Sequence, residues 1–426
     1  MRENTMNEFI IPAPVLFALD RLHAAGYHAY VVGGCVRDFL MGRTPGDYDV
    51  TTSAKPEQTL AVFSDCRVVE TGLQHGTVTL VRGGMNIEIT TYRVDGVYLD
   101  GRHPENVTFT DDLAEDLCRR DFTVNAMAYS PDAGVIDYHE GLRDMENRTI
   151  SCVGSAEKRF AEDGLRILRA LRFSSVLDFT PDEECACGVR RLAPLLDKIS
   201  RERIYVELTK LLGGPAAPRI LRAYPDIIAR ILPGLSGDAA VIAADAIERM
   251  RGFLKIHSPA ADKTELAALH YALLFSGEDG GACRKRMQSL KPSRDELSTV
   301  EAVHKYGNSG ETYDPADAGF DYAVKRLMKA GGDGFPKRVA LYRLALGTME
   351  ETAALEVLRT AERLHESGAC VRLADLAVGG SDLMPLGYAG PAIGKTLNDL
   401  LDRVMRGELA NDRGILLDTA EKERNL

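Results

Sequence analysis

Two aspartates, Asp47 and Asp49, stand one residue apart in GDYDVTT, a β-prone run opened by Gly46. On a strand, side chains alternate between faces, so both carboxylates point the same way. Carboxylates held close together repel unless a cation lies between them. Hard oxygen ligands suit Mg2+, which keeps waters and completes its shell with substrate phosphates. Taken alone, a DxD after a glycine is more commonly an Asx-type turn. Two neighbouring stretches favour the metal. Upstream, VVGGCVRD ends a strand in Gly33-Gly34 and opens a helix bearing Arg37. Glycines let the backbone approach a ligand, and a helix N-terminus favours anions. The spacing is not GxGxxG, so a dinucleotide site is not expected, and a tight strand-to-helix turn explains the glycines equally well. Downstream, NIEITTYR sets Glu88 between Ile87 and Ile89. That carboxylate either faces solvent or, from an adjacent strand, joins the aspartates in a three-carboxylate site for two metals. Such sites stabilise the attacking and leaving oxygens of phosphoryl transfer.

The elements that must position these residues are legible as runs. YVVGGCV, CRVVE, GTVTLV and NIEITTYR are short, β-branched and punctuated by glycine, so they predict strands. APVLFALDRLHAAG and PEQTLAVFS predict helices between them, giving a mixed α/β head. From Ser155 onward the pattern turns helical. SAEKRFAEDGLRILRALRFSS places Phe160, Leu165, Leu168 and Leu171 at helical spacing, with basic residues on the other face. GGPAAP (Gly213 to Pro218) breaks the chain, LKPS and GGDGFP break it again, and a last helical region runs from about Lys337. The predicted divisions are 1–150, 151–214, 215–335 and 336–426. With 426 residues, two to four domains are expected.

Bulk properties exclude several classes. Hydrophobic residues make up 45% and charged residues 27%, as in ordinary globular chains. There is no apolar run long enough for a transmembrane helix, and MRENTMNEFIIPAP lacks the basic start of a secretory signal. No membrane partner is expected, and the sequence is silent on oligomeric state. The eight cysteines lack CxxC pairs and read as reduced cytosolic thiols, with the CxC of Cys185 and Cys187 incidental. The expected compartment is cytoplasmic. A net charge of −11 argues against generic nucleic-acid binding but leaves room for a local basic groove.

Five ordered motifs carry a family resemblance: GGCVRD, GDYDVTT, RRDFTVNAMA (Arg119 to Ala128), EDGLRILRALRF (Glu162 to Phe173) and ERIYVEL (Glu202 to Leu208). Together, over roughly residues 30–210, they resemble the class II tRNA nucleotidyltransferases, the CCA-adding enzymes and bacterial poly(A) polymerases of the polymerase β superfamily. The resemblance implies an α+β protein: a polymerase β-type nucleotidyltransferase head, a mixed sheet with helices, followed by an all-α neck, body and tail. It implies template-independent addition of C, C and A to the tRNA 3′ end from CTP and ATP, with Mg2+ on Asp47 and Asp49; Glu88, from its strand position, is the expected third catalytic carboxylate. The same motifs also serve A-adding-only enzymes and poly(A) polymerases, and a non-catalytic RNA or nucleotide binder is the alternative of another class.

The remaining candidates fit a nucleotide. Gly33, Gly34 and Arg37 can meet phosphate, Arg37 through a charge-assisted fork. Arg120, Asp121 and Asn125 offer donors and acceptors, and the resemblance makes Asp121 the partner of the ribose hydroxyl. Asp163 and Arg166, three apart on a predicted helix, would share a face. A carboxylate accepts from an exocyclic amine and a guanidinium donates to a ring nitrogen. One such pair therefore accepts C and A and rejects U and G, whose groups are reversed. The resemblance assigns these base-reading roles to Asp163 and Arg166. Arg169 and Arg172 extend the basic ridge as nucleotide contacts, unless some of these arginines pair with Glu162. Val94 to Phe109 reads as a mobile loop, and the resemblance makes a loop of this full length the switch from C to A addition. In the tail, GPAIGKT nearly matches a P-loop, but Ala389 replaces its first glycine and Pro391 removes an N–H. A glycine-rich turn opening a helix is expected instead, packed as structure or touching RNA backbone; the resemblance, in which the tail holds the tRNA body, makes Lys395 a candidate phosphate contact. His257, His270, His304 and His365 lack metal-ligand spacing, so the phosphohydrolase module of some relatives is not expected.

Overall fold

A computed structural model describes residues 9–96, 107–258 and 266–424. The chain divides into two compact units, Met1–Ile220 and Leu221–Leu426.

The first unit opens with helix α1 (Ala13–Ala24), started by Pro14 in its first turn. Its buried residues Val15, Ala18, Leu19 and Leu22 follow helical spacing and form one stripe against the sheet. The head strands are β1 (Ala29–Val32), β2 (Asp49–Thr52), β3 (Val68–Gly72), β4 (Thr77–Arg82), β5 (Met85–Thr91), β6 (Arg93–Asp95), β7 (Val107–Phe109), β8 (Met127–Ser130) and β9 (Gly134–Asp137). Seven of them form one sheet in the order β3-β4-β5-β2-β1-β8-β9, and β6 and β7 pair separately as a two-stranded antiparallel ribbon. β2 and β5 run parallel and every other pair in the large sheet is antiparallel. Val31, Val50, Leu80, Ile87 and Ile89 bury one face in a core with α1. Each such side chain contributes about 1.5–3 kcal/mol on full burial. Val32, Tyr92, Leu113, Leu117 and Ala128 make a second, smaller core. The helices between strands are α2 (Gly34–Leu40), α3 (Pro56–Val62), α4 (Leu113–Cys118) and α5 (Gly141–Glu146).

The rest of this unit is helical apart from a short parallel pair, Thr149–Ile150 with Thr180–Pro181. Its helices are α6 (Ala156–Glu162), α7 (Leu165–Leu177), α8 (Glu183–Arg191) and α9 (Arg201–Gly213). One expectation needs correction here. The stretch predicted as one helix is two, because Asp163 adopts an extended backbone (φ −141°, ψ 107°) and ends α6. Gly164 then packs so tightly that a methyl group on it would lie 3.0 Å from Leu195 Cβ.

The second unit is all helical among its described residues, and its breaks follow the sequence. Helices Gly280–Ser289 and Arg294–Gly307 flank LKPS, and Phe320–Gly331 and Phe335–Leu346 flank GGDGFP. Ser293 and Glu296 form a capping box at the start of the second of these helices. A separate core of Leu376, Val378, Leu383, Leu400, Leu401, Met405, Leu416 and Ala420 organises the C-terminal region. GPAIGKT opens the helix Pro391–Arg406, with Gly390 at φ 54° and Lys395 exposed.

Candidate active site

The register of two parallel strands places the acidic residues. Asp49 begins β2 and lies opposite Glu88 in β5, so their side chains leave the same face of the sheet. Asp47 precedes the strand, so strand alternation does not govern its direction, contrary to the expectation. All three residues are exposed. Although its side chain meets solvent, partial desolvation by the protein packed around it, then the carboxylates of Asp47 and Glu88, push the Asp49 carboxyl up to about 6. Among the described residues, no three His, Cys, Asp or Glu side chains are grouped to hold a metal ion. The expected three-carboxylate cage is therefore not formed, although Asp47 and Glu88 both act on Asp49. The donor chemistry still fits a divalent cation: hard carboxylate oxygens, with Asp47 and Glu88 close enough to disfavour the ionised form of Asp49.

Gly33 and Gly34 occupy the turn from β1 into α2. Gly33 has φ 82° and ψ −129°, a backbone only glycine adopts readily. A methyl group there would lie 3.0 Å from Arg120 Nη1, so the turn and the Arg120 guanidinium are in close approach. Arg120 Nε is buried and has no hydrogen-bond partner among the described residues. Its Nη2 lies 3.6 Å from Asp116 Oδ2.

Asp116 on α4 is a central member of the site that the sequence reading did not single out. It is fully buried. It accepts from Thr51 Oγ1 (3.0 Å), from Arg119 Nε (2.9 Å) and from the Arg93 backbone N–H (3.3 Å). Burial alone would push its carboxyl up, but Arg119 and Arg120 outweigh that and hold it below the ordinary value. The signal was present as a carboxylate in one short helix, three and four residues before two arginines that follow its end.

The other predicted residues form a continuous polar chain. Arg37, 8% exposed, donates through Nη1 to Asn125 Oδ1 (2.5 Å) and through Nη2 to Asp38 (2.7 Å). Asn125 Nδ2 donates to Asp121 Oδ1 (3.2 Å). Asp121 Oδ2 accepts from Arg169 at 2.8 Å and 2.6 Å. Despite burial, Arg169, Arg166 and Asn125 hold the Asp121 carboxyl far below its ordinary range. Arg169 also reaches Glu207 (3.6 Å), which accepts from Arg172 Nε (2.9 Å). Phe173 lies beneath Arg37, Arg169 and Arg172, whose guanidinium carbons are 5.3, 5.3 and 3.5 Å from the ring centroid. Glu207 was also missed, although it shares the buried face of α9 with Ile204, Leu208 and Leu211. A carboxylate at a core position of an amphipathic helix demands partners.

The recorded link between Asp163 and Arg166 is through the backbone, where the Arg166 N–H donates to the Asp163 carbonyl (2.9 Å). Asp163 lies in the break between helices, so the shared helix face does not exist. Its Oδ1 accepts from the Leu165 N–H (2.9 Å) and its Oδ2 from Arg203 Nη2 (2.6 Å). Arg166 is buried and donates to Glu162 Oε2 (2.5 Å), to the Arg159 carbonyl (3.2 Å) and to the Arg119 carbonyl (3.3 Å). Most of the expected mobile loop, residues 97–106, lies outside the described residues, and β6 and β7 form its two roots. Arg119 Nη1 reaches Asp95 of β6 at 3.9 Å. Cys185 is buried, Cys187 is exposed, and all eight cysteines are free.

Carboxylates on adjacent parallel strands, under a glycine turn and ahead of a helical segment rich in arginine, define a polymerase β-type nucleotidyltransferase head. Residues 29–151 match the family model "Poly A polymerase head domain", and residues 178–235 match "Probable RNA and SrmB- binding site of polymerase A". The chain is 34% identical to the CCA-adding enzyme of Streptococcus suis over 416 residues, 97% of this chain and 96% of that relative. It is 35% identical to the CCA-adding enzyme of Leuconostoc mesenteroides over 422 residues, 98% of this chain and 97% of that one. It superposes on a solved structure of the Bacillus stearothermophilus CCA-adding enzyme in complex with CTP, with TM-score 0.78 and 31% identity, covering 97% of this chain and 98% of that one. The chain belongs to the family of CCA-adding enzymes and is a nucleotidyltransferase. No helix among the described residues is long and apolar enough to cross a membrane.

Proposed function

We infer that this enzyme adds C, C and A in turn to the 3′ end of tRNA, using CTP and ATP without a nucleic-acid template. The RNA 3′-hydroxyl attacks the α-phosphate, the bond to the β-phosphate oxygen breaks, and pyrophosphate leaves. The observation that carries this reading is the parallel register setting Asp49 opposite Glu88, beside a glycine turn that Arg120 closely approaches.

Asp47 and Asp49, with Glu88 alongside, are the residues that would hold Mg2+. A divalent cation there would offset the triphosphate charge and stabilise the attacking and leaving oxygens. The backbone at Gly33 and Gly34 lets the phosphates come close, and Arg37 and Arg120 supply guanidinium donors to them. Asp121, held ionised by Arg169 and oriented by Asn125, accepts from the ribose hydroxyl. Asp163 accepts the exocyclic amine of cytosine or adenine while Arg166 donates to the neighbouring ring nitrogen. Arg169 and Arg172 add positive potential beside the nucleotide. Residues 1–150 are the catalytic head, 151–214 the base-reading neck, 215–335 the body and 336–426 the tRNA-binding tail, with Lys395 an exposed candidate for backbone phosphate. The cytoplasm is the proposed compartment.

The test is CTP-dependent pyrophosphate release on a tRNA lacking CCA, with Mg2+ and with excess chelator, for the wild type and Asp49→Asn. The expected result is release that both the chelator and the substitution abolish. Release that survives in Asp49→Asn would overturn the assignment of the carboxylates.

A further inference from the structure

The residues read above as base readers are each gripped by a side chain outside the pair, and one grip has a consequence for fidelity. Asp163 lies where α6 ends, in extended backbone, so no helix fixes its carboxylate. Two contacts do. Oδ1 accepts from the first N–H of α7, that of Leu165, at 2.9 Å, and Oδ2 accepts from Arg203 Nη2 at 2.6 Å. The backbone beneath is closely packed, since a methyl group on Gly164 would lie 3.0 Å from Leu195 Cβ. Arg203 itself stands on a fixed support. It is on α9, whose buried residues Ile204, Leu208 and Leu211 anchor the helix, and whose Glu207 is tied to Arg172 on α7.

We propose that Arg203 is a specificity-positioning residue: it holds the Asp163 carboxylate in the orientation that lets cytosine and adenine be told from uracil and guanine. The proposal rests on the reading of Asp163 as a base reader. A carboxylate oxygen has two lone-pair directions. With one taken on each oxygen, the directions left for a base are set by where Leu165 and Arg203 stand. The terminal torsion of aspartate is otherwise broad, so loss of one contact lets the carboxylate turn. Cytosine presents an amine to that carboxylate and uracil presents a carbonyl at the same place. An amine is accepted and a carbonyl is repelled only while the carboxylate is aimed at it, so orientation and discrimination are the same property. The competing view is a partly exposed ion pair, with side chains 23% and 14% exposed, that only adds stability. Such pairs contribute little, and their loss would leave base choice untouched.

The experiment is single-nucleotide addition to a tRNA ending before CCA, with kcat and KM measured separately for CTP and UTP. The proteins are the wild type, Arg203→Met, Arg203→Lys and Asp163→Asn. Arg203→Met is expected to lower the CTP-over-UTP ratio of kcat/KM by about tenfold, the effect of losing one charge-assisted hydrogen bond. Arg203→Lys keeps a single donor and should recover part of the ratio. Equal losses for both nucleotides in Arg203→Met, with the ratio unchanged while Asp163→Asn lowers it, would overturn the proposal and leave the base reader standing. An unchanged ratio in Asp163→Asn would overturn both. If Arg203→Met does not fold, Arg203→Lys decides: a ratio equal to that of the wild type would overturn the proposal.

Discussion

Replacing Gly33 by alanine tests how the head holds its nucleotide turn. The residue sits at φ 82° and ψ −129°, and both sides of it are tied down. Its N–H donates to the Met127 carbonyl (3.1 Å), and its carbonyl accepts from the Arg37 N–H (3.3 Å). An L-residue forced into this backbone costs about 1–3 kcal/mol, and turning the peptide to relieve it gives up hydrogen bonds of about 1 kcal/mol each. The new methyl group would also stand 3.0 Å from Arg120 Nη1, so the guanidinium must give way. A unit of this size loses about 2–4 °C of Tm per kcal/mol, so Gly33→Ala should unfold about 3–10 °C below the wild type. Thermal unfolding measures that directly. Single-turnover CTP addition at 25 °C measures the second consequence, a drop in kcat/KM of at least about tenfold, because displacing a positioning group by a fraction of an ångström disturbs alignment. In an Arg120→Ala background the same substitution should keep its thermal cost and lose most of its kinetic cost. A Gly33→Ala enzyme with wild-type Tm and wild-type kcat/KM would refute the reasoning.

Three further predictions concern buried polar groups. His270 is 2% exposed, neither ring nitrogen has a hydrogen-bond partner among the described residues, and burial beside Arg251 lowers its pKa to about 3. The unfolded chain, with a histidine near 6.5, binds the extra proton between about pH 3 and 6.5, so stability falls as pH falls through that window. At pH 5 this amounts to about 2 kcal/mol, and His270→Leu should show a correspondingly shallower loss of Tm between pH 7 and pH 5. Asp116→Asn should cost about 3 kcal/mol in denaturant unfolding and lower nucleotide addition, because it leaves Arg119 and Arg120 without their buried counter-charge. Arg343 is 5% exposed and donates to the carbonyls of Gly307 (3.1 Å) and Tyr306 (3.3 Å), and to those of Ser309 and Glu311. Arg343→Met should therefore destabilise the second unit by about 3 kcal/mol in chemical unfolding.

The head was legible where residues repeat a pattern. β1, β3, β4 and β5 lie in the glycine-punctuated runs, α1 and α3 in the amphipathic ones, and the second unit breaks at LKPS and GGDGFP as its prolines and glycines require. β8 and β9 were not anticipated: β8 is only MAYS, directly after a motif read for its chemistry, and β9 is only GVID. The neck helix was read as continuous because Phe160, Leu165 and Leu168 keep helical spacing across Asp163-Gly164. Spacing carries no information on the packing against Leu195 that accompanies the break. Among site residues in quoted motifs, Arg37, Asn125, Asp121 and Arg169 fell on one connected network that ends at Glu207, while Asp47, Asp49, Glu88 and Asp163 lie outside it. Their partners were harder to see, because Asp116, Arg203 and Glu207 matter through contacts spanning up to some 65 residues of sequence, such as that between Thr51 and Asp116. Single-sequence patterns report neighbours along a helix or strand and say nothing of partners that far apart.

The most direct test of the central claim uses three tRNAs of one sequence, ending before CCA, after C and after CC. Each is incubated with Mg2+ and labelled CTP, ATP or both, and product length is read at single-nucleotide resolution beside an Asp49→Ala control. Completion to CCA on all three, absent from the control, is the predicted result. Addition of A alone to the CC-ended tRNA, long A tracts, or no product beyond the control would each contradict it.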